Sequence, residues 1–336
     1  MSPSRRVQAR SVQFSHFGGI DVLDIVDIPT PVPAPGEVVV EVLAAGVNHV
    51  EAYVRQGIYD KSMVKVDFPQ GQGSDFAGLV TAVGEGVTGF ARGAEVLGHA
   101  MMASHATHIA VPAYNVVAKP PALSWELAGS LFLAGLAADA AVSAVHVSRG
   151  ETIVTSAAAG GVGSIVAQIA KARGATVIGT CGERNFDYLR QIGIKPVVYG
   201  DGLADRIREL APRGVDAWID NFGKDDRDVA DQLGVEPPRF WSSEQRRDVE
   251  LGALRPSEEQ SKEQTHTLAR LADLAASRAV NILISGFYPF EKVRDAFDDL
   301  EKRHARGKIV LGMRPVDNGF HGLNRGKMRD VQERQP

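Results

Sequence analysis

Residues 156–170 read SAAAGGVGSIVAQIA, three glycines set among alanines and then an apolar rhythm. The stretch before them, ETIVT at 151–155, is rich in β-branched residues. After them Val162, Ile165, Val166 and Ile169 follow spacings of three, one and three, which places them on one helical face. The order is strand, glycine turn, helix, and it admits two readings. The glycines can serve a tight turn that lets the helix pack closely. They can also let the backbone approach a pyrophosphate, whose charge is met by N–H groups and by the positive end of the helix dipole. The spacing departs from the ideal G-x-G-x-x-G, because Ala158 stands in the first glycine's place and only Gly160 and Gly163 match the other two.

The surroundings favour the phosphate. The chain continues ATVIGT, NFDYLRQIG, PVVY, LADRIRELA and VDAWID, short strands alternating with amphipathic helices. That alternation predicts βαβ crossovers and a doubly wound parallel sheet. A dinucleotide with a free ribose would meet a carboxylate at the end of the strand after the glycine turn, but Thr180, Cys181 and Gly182 offer none. Two residues on, Arg184 can pair with a 2'-phosphate through its planar fork, so NADPH is expected rather than NADH, with Glu183 as the counterargument. Cys181 reads as an inert small residue.

Upstream, from residue 12 to about 120, valine-rich runs separated by Gly and Pro predict a largely antiparallel unit, and the prolines at 29, 31, 33 and 35 a stiff link between its first strands. Near residue 125 the texture changes. Ser124 can cap a helix carrying Trp125, Leu127, Ala128, Leu131 and Phe132 near one face. Beyond WIDNFG the pattern predicts a short strand at Phe240 and Trp241, a helix in EQTHTLARLADLAA and a buried strand in AVNILIS. A helix through Val293, Phe297 and Leu300 and a closing strand in GKIVLGMR then return to the first domain. The expected division is 1–127 with 286–315, then 128–285, then a flexible polar tail at 316–336.

The 336 residues are 44% hydrophobic and 23% charged with a net charge of −4, which suits two globular domains and argues against a nucleic-acid partner. A single cysteine excludes an internal disulfide and a multi-cysteine zinc cluster, and fits a reducing cytoplasm. No stretch approaches the roughly 20 apolar residues of a membrane span, and the first residues lack a signal-peptide core.

Taken together, AAGVNHVEAYVRQGIY (44–59), GSDFAGLVTAVGEGV (73–87), the glycine stretch and HARGKIVL (304–311) resemble the medium-chain dehydrogenase/reductase superfamily. The chain looks most like its zinc-independent quinone oxidoreductase branch, which includes the zeta-crystallins. The resemblance implies an α/β protein with a GroES-like, mostly-β catalytic domain, a Rossmann domain, a cleft between them and a homodimer. Zinc-dependent relatives carry a Cys where this chain has Asn48 and a Gly-His-Glu motif where it has GSDFAG, so no metal is expected. His49, His99, His105 and His108 do not by their spacing form a tetrahedral shell, and His105 and His108 are expected on the strand before IAVP.

Without a metal, a carbonyl oxygen that gains charge needs hydrogen-bond donors. Asn48, Tyr53 and Tyr59 are the candidates. Tyr53 matches an active-site tyrosine of the quinone reductases, and Tyr59 the proton-donating tyrosine of related enoyl-thioester reductases. The alternative is that both tyrosines line the cleft wall and that Asn48 stabilises a turn. The resemblance carries Gly160, Gly161, Val162 and Gly163, with Ala158 beside them, to the pyrophosphate, Arg184 to the 2'-phosphate and Tyr199 to the adenosine; Tyr199 could equally be a strand-end core residue. His49 and HAMMA (99–103) are expected to line the substrate cleft, and Asp220 to order a turn. Two departures stand out: Ala137 lacks a hydroxyl common in the family, and GVEPPRFWSSEQ (234–245) replaces a glycine-rich turn and strand. The expected activity is NADPH-dependent hydride transfer to a small apolar quinone or α,β-unsaturated carbonyl. The alternatives are an enoyl-thioester or biosynthetic-intermediate reductase, and a crystallin-like protein that binds NADPH without turnover.

Overall fold

The computed structural model describes residues 8–224 and 226–314. The expected tail at 316–336 lies outside them. Internal contacts divide the described residues into two units, one holding 8–133, 251–273 and 284–314, the other 134–224, 226–250 and 274–283. The division thus falls a few residues beyond the expected boundary at 127/128 and groups 251–273 with the first unit.

The first unit opens with β1 (Ala9–Phe14), β2 (Asp24–Ile28), β3 (Glu37–Val47), β4 (Gln70–Gly71), β5 (Asp75–Val83), β6 (Glu95–His99), β7 (His108–Pro112) and β8 (Val116–Ala118). In the second unit run β9 (Thr152–Thr155), β10 (Thr176–Cys181), β11 (Lys195–Val198), β12 (Ala217–Ile219) and β13 (Phe240–Trp241). The first unit then resumes with β14 (Ile284–Pro289) and β15 (Lys308–Gly312).

The organising strand of the first unit is β3. Its eleven residues pair antiparallel with β5, β7 and β15, and register shifts at Val39/Val40 and Val42/Ala44 bend it enough to serve all three partners. The resulting sheet runs β14-β15-β3-β5-β6-β8 with β7 on β3, beside a small sheet β2-β1-β4. Val38, Val40 and Val42 face the same core as Phe76, Phe297 and Leu311. The helix Val293–Glu301 joins β14 to its parallel neighbour β15 and buries Val293, Ala296, Phe297 and Leu300.

The second unit is a parallel sheet ordered β11-β10-β9-β12-β13 with helices between successive strands. Every residue of β9 is buried, as a central parallel strand covered on both faces requires. Strand order reverses between β9 and β12, the point where such sheets open a crevice at their carboxyl ends.

Three expectations are corrected. The helix predicted from Ser124 is two helices, Trp125–Ala128, capped by the Ser124 hydroxyl, and Phe132–Ala144. Gly46 N–H donates to the Gly129 carbonyl at 2.6 Å, and a side chain at Gly129 would overlap the Ala44 carbonyl oxygen, so β3 holds the chain where a continuous helix would have to pass. The strand expected at 279–285 begins only at Ile284. Val280 and Ile282 are buried, but Asn281 bonds the Gln168 side-chain amide through both its N–H (2.7 Å) and its carbonyl (2.9 Å), which replaces a ladder. His105 precedes β7, because its N–H donates to the Gln72 carbonyl; only His108 lies on the strand.

Candidate active site

The close-packing reading of the glycine turn holds for two of its residues. The helix Gly161–Ala172 starts after a turn in which Ala157 has φ +47°. A Cβ on Gly163 would overlap the Ala157 carbonyl oxygen and come within 3.0 Å of the Ser156 carbonyl oxygen, so this glycine serves close packing. Ala158 does too: it is fully buried, donates its N–H to the Thr180 carbonyl at 3.0 Å, and its Cβ lies 2.5 Å from where Gly179 would carry one. Gly160 donates to the Ala157 carbonyl at 2.9 Å. The amides of Gly161, Val162 and Gly163 form the first helical turn, where no intrahelical carbonyl reaches them. That turn carries no acidic residue, so nothing on the helix offsets its positive end.

Arg184 lies in the single turn Glu183–Asn185 after β10, exposed, as Glu183 also is. Tyr199 follows β11, is 63% exposed and holds its hydroxyl 3.8 Å from the Cβ position of Gly182, so it is not a core residue. Cys181 is buried.

Asp220 orders a turn, as expected: its Oδ1 accepts from Ser156 Oγ at 2.9 Å and from the Phe222 and Gly223 amides at 2.8 Å each. Its neighbour was missed by sequence reasoning. Asn221 follows β12 at the reversal of strand order, donates to Thr155 Oγ1 (2.9 Å) and the Ser156 carbonyl (3.2 Å), and keeps a buried Oδ1 that no described residue satisfies. Phe222 beside it is half exposed. Their position at the end of the fourth parallel strand was the available signal.

In the first unit the three expected donor residues are spread along one helix and its end. Asn48 caps the helix His49–Gln56 and is buried. Tyr53 lies five residues on, about 140° around the helix axis. Its hydroxyl accepts from Arg303 Nη2 at 3.0 Å and its ring stacks on His49, centroids 6.3 Å apart. Gly57, at φ +72°, ends the helix in the left-handed conformation and turns the chain toward Tyr59. Tyr59 meets Phe17 edge-on at 6.4 Å; burial raises its proton affinity, and the Arg255 charge opposes that.

Of HAMMA, His99, Ala100 and Met102 are buried, and Ala100, Met101 and Ala103 line a cavity of about 460 Å³ with Tyr114, Leu254 and Arg255. Arg255 also donates to the Lys65 carbonyl.

Asn48 belongs to a buried polar cluster that sequence reasoning did not assemble. Glu51 accepts from the Asn48 backbone N–H and from Nδ2, both at 3.1 Å, and Lys308 Nζ donates to Asn48 Oδ1 at 2.5 Å. Asp75 accepts from the Leu133 N–H at 3.0 Å. Burial pushes Glu51 up to about 7 and Asp75 to about 6 against the opposing pull of Lys308. Burial also holds His99 and His105 at about 4, hence neutral. His99 Nε2 pairs with Thr265 Oγ1 at 2.8 Å and His105 Nε2 with the Gly46 carbonyl at 2.9 Å. Among the described residues no three His, Cys, Asp or Glu side chains are placed to hold a metal ion, so the residues do not fit the zinc of the metal-dependent relatives.

Two family models match: the alcohol dehydrogenase GroES-like domain over residues 34–152 and the zinc-binding dehydrogenase over 192–311. Quinone oxidoreductase 1 of Escherichia coli K12 is 29% identical over 90% of this chain and 99% of its own length. The human quinone oxidoreductase is 34% identical over 52% of this chain and about half, 53%, of its own. Among solved structures, the quinone oxidoreductase of Coxiella burnetii superposes with a TM-score of 0.76 at 28% identity, over 91% of this chain and 100% of that one. A mycobacterial protein complexed with NADPH superposes with a TM-score of 0.75 at 29% identity, over 90% of this chain and 100% of that one. An antiparallel unit built around β3 and a doubly wound parallel unit are the architecture these matches share, and the chain is an oxidoreductase of the medium-chain dehydrogenase/reductase superfamily, in its quinone oxidoreductase branch.

Proposed function

We propose that the protein uses NADPH to reduce a small apolar quinone or α,β-unsaturated carbonyl. The observation that carries the reading is the glycine turn. Gly163 lies flush against the Ala157 carbonyl, and the first-turn amides of a 12-residue helix have no carbonyl of their own. The NADPH complex of a relative supports it. Gly161, Val162 and Gly163 would hold the diphosphate, with Arg184 toward the 2'-phosphate and Tyr199 beside the adenosine. The buried Asn221 Oδ1 offers a further acceptor for a ligand N–H or O–H. Bound there, the reduced nicotinamide supplies the hydride.

The first unit would meet the acceptor. A conjugated oxygen that gains charge is stabilised by a donor and then protonated, and Asn48 Nδ2 and the Tyr59 hydroxyl are the groups for these roles. A raised proton affinity keeps Tyr59 protonated at neutral pH, as an acid must be before it acts. Met101 and its apolar neighbours would suit a flat, water-poor ligand. A homodimer in a reducing cytoplasm belongs to the same reading.

Two variants test it. Arg184→Ala should raise the KM for NADPH about 10- to 100-fold, the loss of one or two charge-assisted bonds, and leave the KM for NADH within about twofold. Equal changes for both cofactors would remove Arg184 from the 2'-phosphate. Tyr59→Phe should lower kcat for an enone about 100-fold, with a smaller effect on a quinone, whose product can be protonated by solvent. Turnover of enoyl thioesters alone, lost in Tyr59→Phe, would favour the enoyl reductase. No NADPH consumption with any acceptor despite tight binding would favour the non-catalytic alternative.

A further inference from the structure

A buried lysine needs an explanation, because taking an ammonium out of water is costly unless its partners repay it. Lys308, on β15, is 5% exposed, and its nearest bond runs to an asparagine 260 residues away in sequence. It also reaches the Val47 carbonyl at 3.4 Å. The other ionisable groups facing it are Glu51 from the helix after Asn48, Asp75 from β5, and His105, whose ring lies within reach of both charges. Ser74 adds a hydroxyl toward Glu51. One ammonium faces two carboxyls, so the cluster is neutral when the pair holds one proton between them.

The consequence falls on the Asn48 amide. Its oxygen accepts from the ammonium and one Nδ2 hydrogen goes to Glu51. Turning the amide over would set Nδ2 against the ammonium and Oδ1 against a carboxylate oxygen, two repulsive contacts for two attractive ones. The capping box favours the same orientation, since the Asn48 side-chain oxygen faces the Glu51 backbone N–H while Glu51 returns to the Asn48 backbone N–H; the ammonium adds a charged partner to that preference.

We infer that Lys308 is a positioning residue: with the carboxyls of Glu51 and Asp75 beside it, it locks the Asn48 amide in one orientation, the oxygen on the ammonium and Nδ2 turned to the carboxyl side, where a ligand oxygen would compete with Asp75 for the second hydrogen. The inference rests on the reading that Asn48 meets the acceptor.

The test uses Lys308→Met together with Asp75→Asn in the full chain, so that a cation and an anion are removed together and the protein stays folded, which thermal unfolding verifies. In a protein labelled at asparagine side chains, the Nδ2 order parameter of Asn48 should fall from the rigid toward the flexible range in the double variant. An unchanged value overturns the inference whether or not any acceptor is reduced. With an acceptor that is turned over, kcat of the double variant should fall at least tenfold, and adding Asn48→Ala should change it by less than about twofold, because the two act as one. Additive losses would overturn the inference, since Lys308 would then act without Asn48. Full kcat in Asn48→Ala alone would instead remove Asn48 from the acceptor site, and the order parameter would still decide what Lys308 does.

Discussion

Gly163→Ala should weaken NADPH binding about 100-fold and destabilise the second unit by about 1–3 kcal/mol, the range of overpacked or strained core sites. The methyl group would overlap the Ala157 carbonyl oxygen, with the Ala157 carbonyl carbon at 2.9 Å and the Ser156 carbonyl oxygen at 3.0 Å. All three are backbone atoms and cannot rotate away. Either the turn opens, which strains Ala157 at its φ of +47°, or the helix moves off β9. Each displaces the amides of residues 161–163 from the place where a diphosphate would meet them. Gly160→Ala is the control. Its Cβ has one close neighbour, the Ala157 oxygen at 3.2 Å, and its φ of −81° suits any residue, so about 1 kcal/mol or less is expected. Thermal unfolding and NADPH titration of the two variants decide it; a loss at 163 as small as that expected at 160 would mean the turn tolerates a side chain there.

Asp75→Asn should change how stability depends on pH. Glu51 and Asp75 take up a proton more readily in the folded chain than in the unfolded one, so the stability they contribute is fully present near pH 4 and is lost as pH rises toward 6 or 7. His99 and His105 act in the opposite sense. They stay neutral in the folded chain to about 4, so their contribution is present above about pH 6.5 and is lost as pH falls through that window. Between about pH 4.5 and 6 the two pairs oppose one another, and the wild-type first unit should vary little. With Asp75 replaced, the histidines dominate. The variant should gain roughly 3 kcal/mol relative to wild type between pH 4 and 7, from a shift of about two pH units at 1.36 kcal/mol each. Urea denaturation at pH 4.5, 6 and 8 reads this directly, and parallel curves for the two proteins would contradict the burial of Asp75 as an unneutralised acid.

The local elements were legible because their signals are local. β9, its glycine turn and the helix at 161–172 follow from β-branching, glycine and a 3.6-residue period, and the two-residue β13 was visible as Phe240 and Trp241 despite the prolines before it. Errors came where another part of the chain supplied what periodicity assumes is local. Gln168 ties up the backbone of Asn281, and β3 interrupts the helix at Gly129. Ala158 turned inward because Gly179 leaves it room, a fit between residues on different elements. The candidate residues Asn48, Tyr53 and Tyr59 could be named one by one. The meeting of Asn48, Glu51, Asp75 and Lys308 was not legible, since they come from a helix start and two strands that only the antiparallel sheet brings together.

The central claim is that amides at the start of the helix Gly161–Ala172 bind the diphosphate of NADPH. Calorimetric titration of NADPH into the wild-type protein and into Gly163→Ala tests it most directly. The account predicts one site per chain with a Kd on the order of micromolar, about −8 kcal/mol, weakened about 100-fold in the variant. Binding of equal strength in both proteins, or no binding in the wild type, would contradict it.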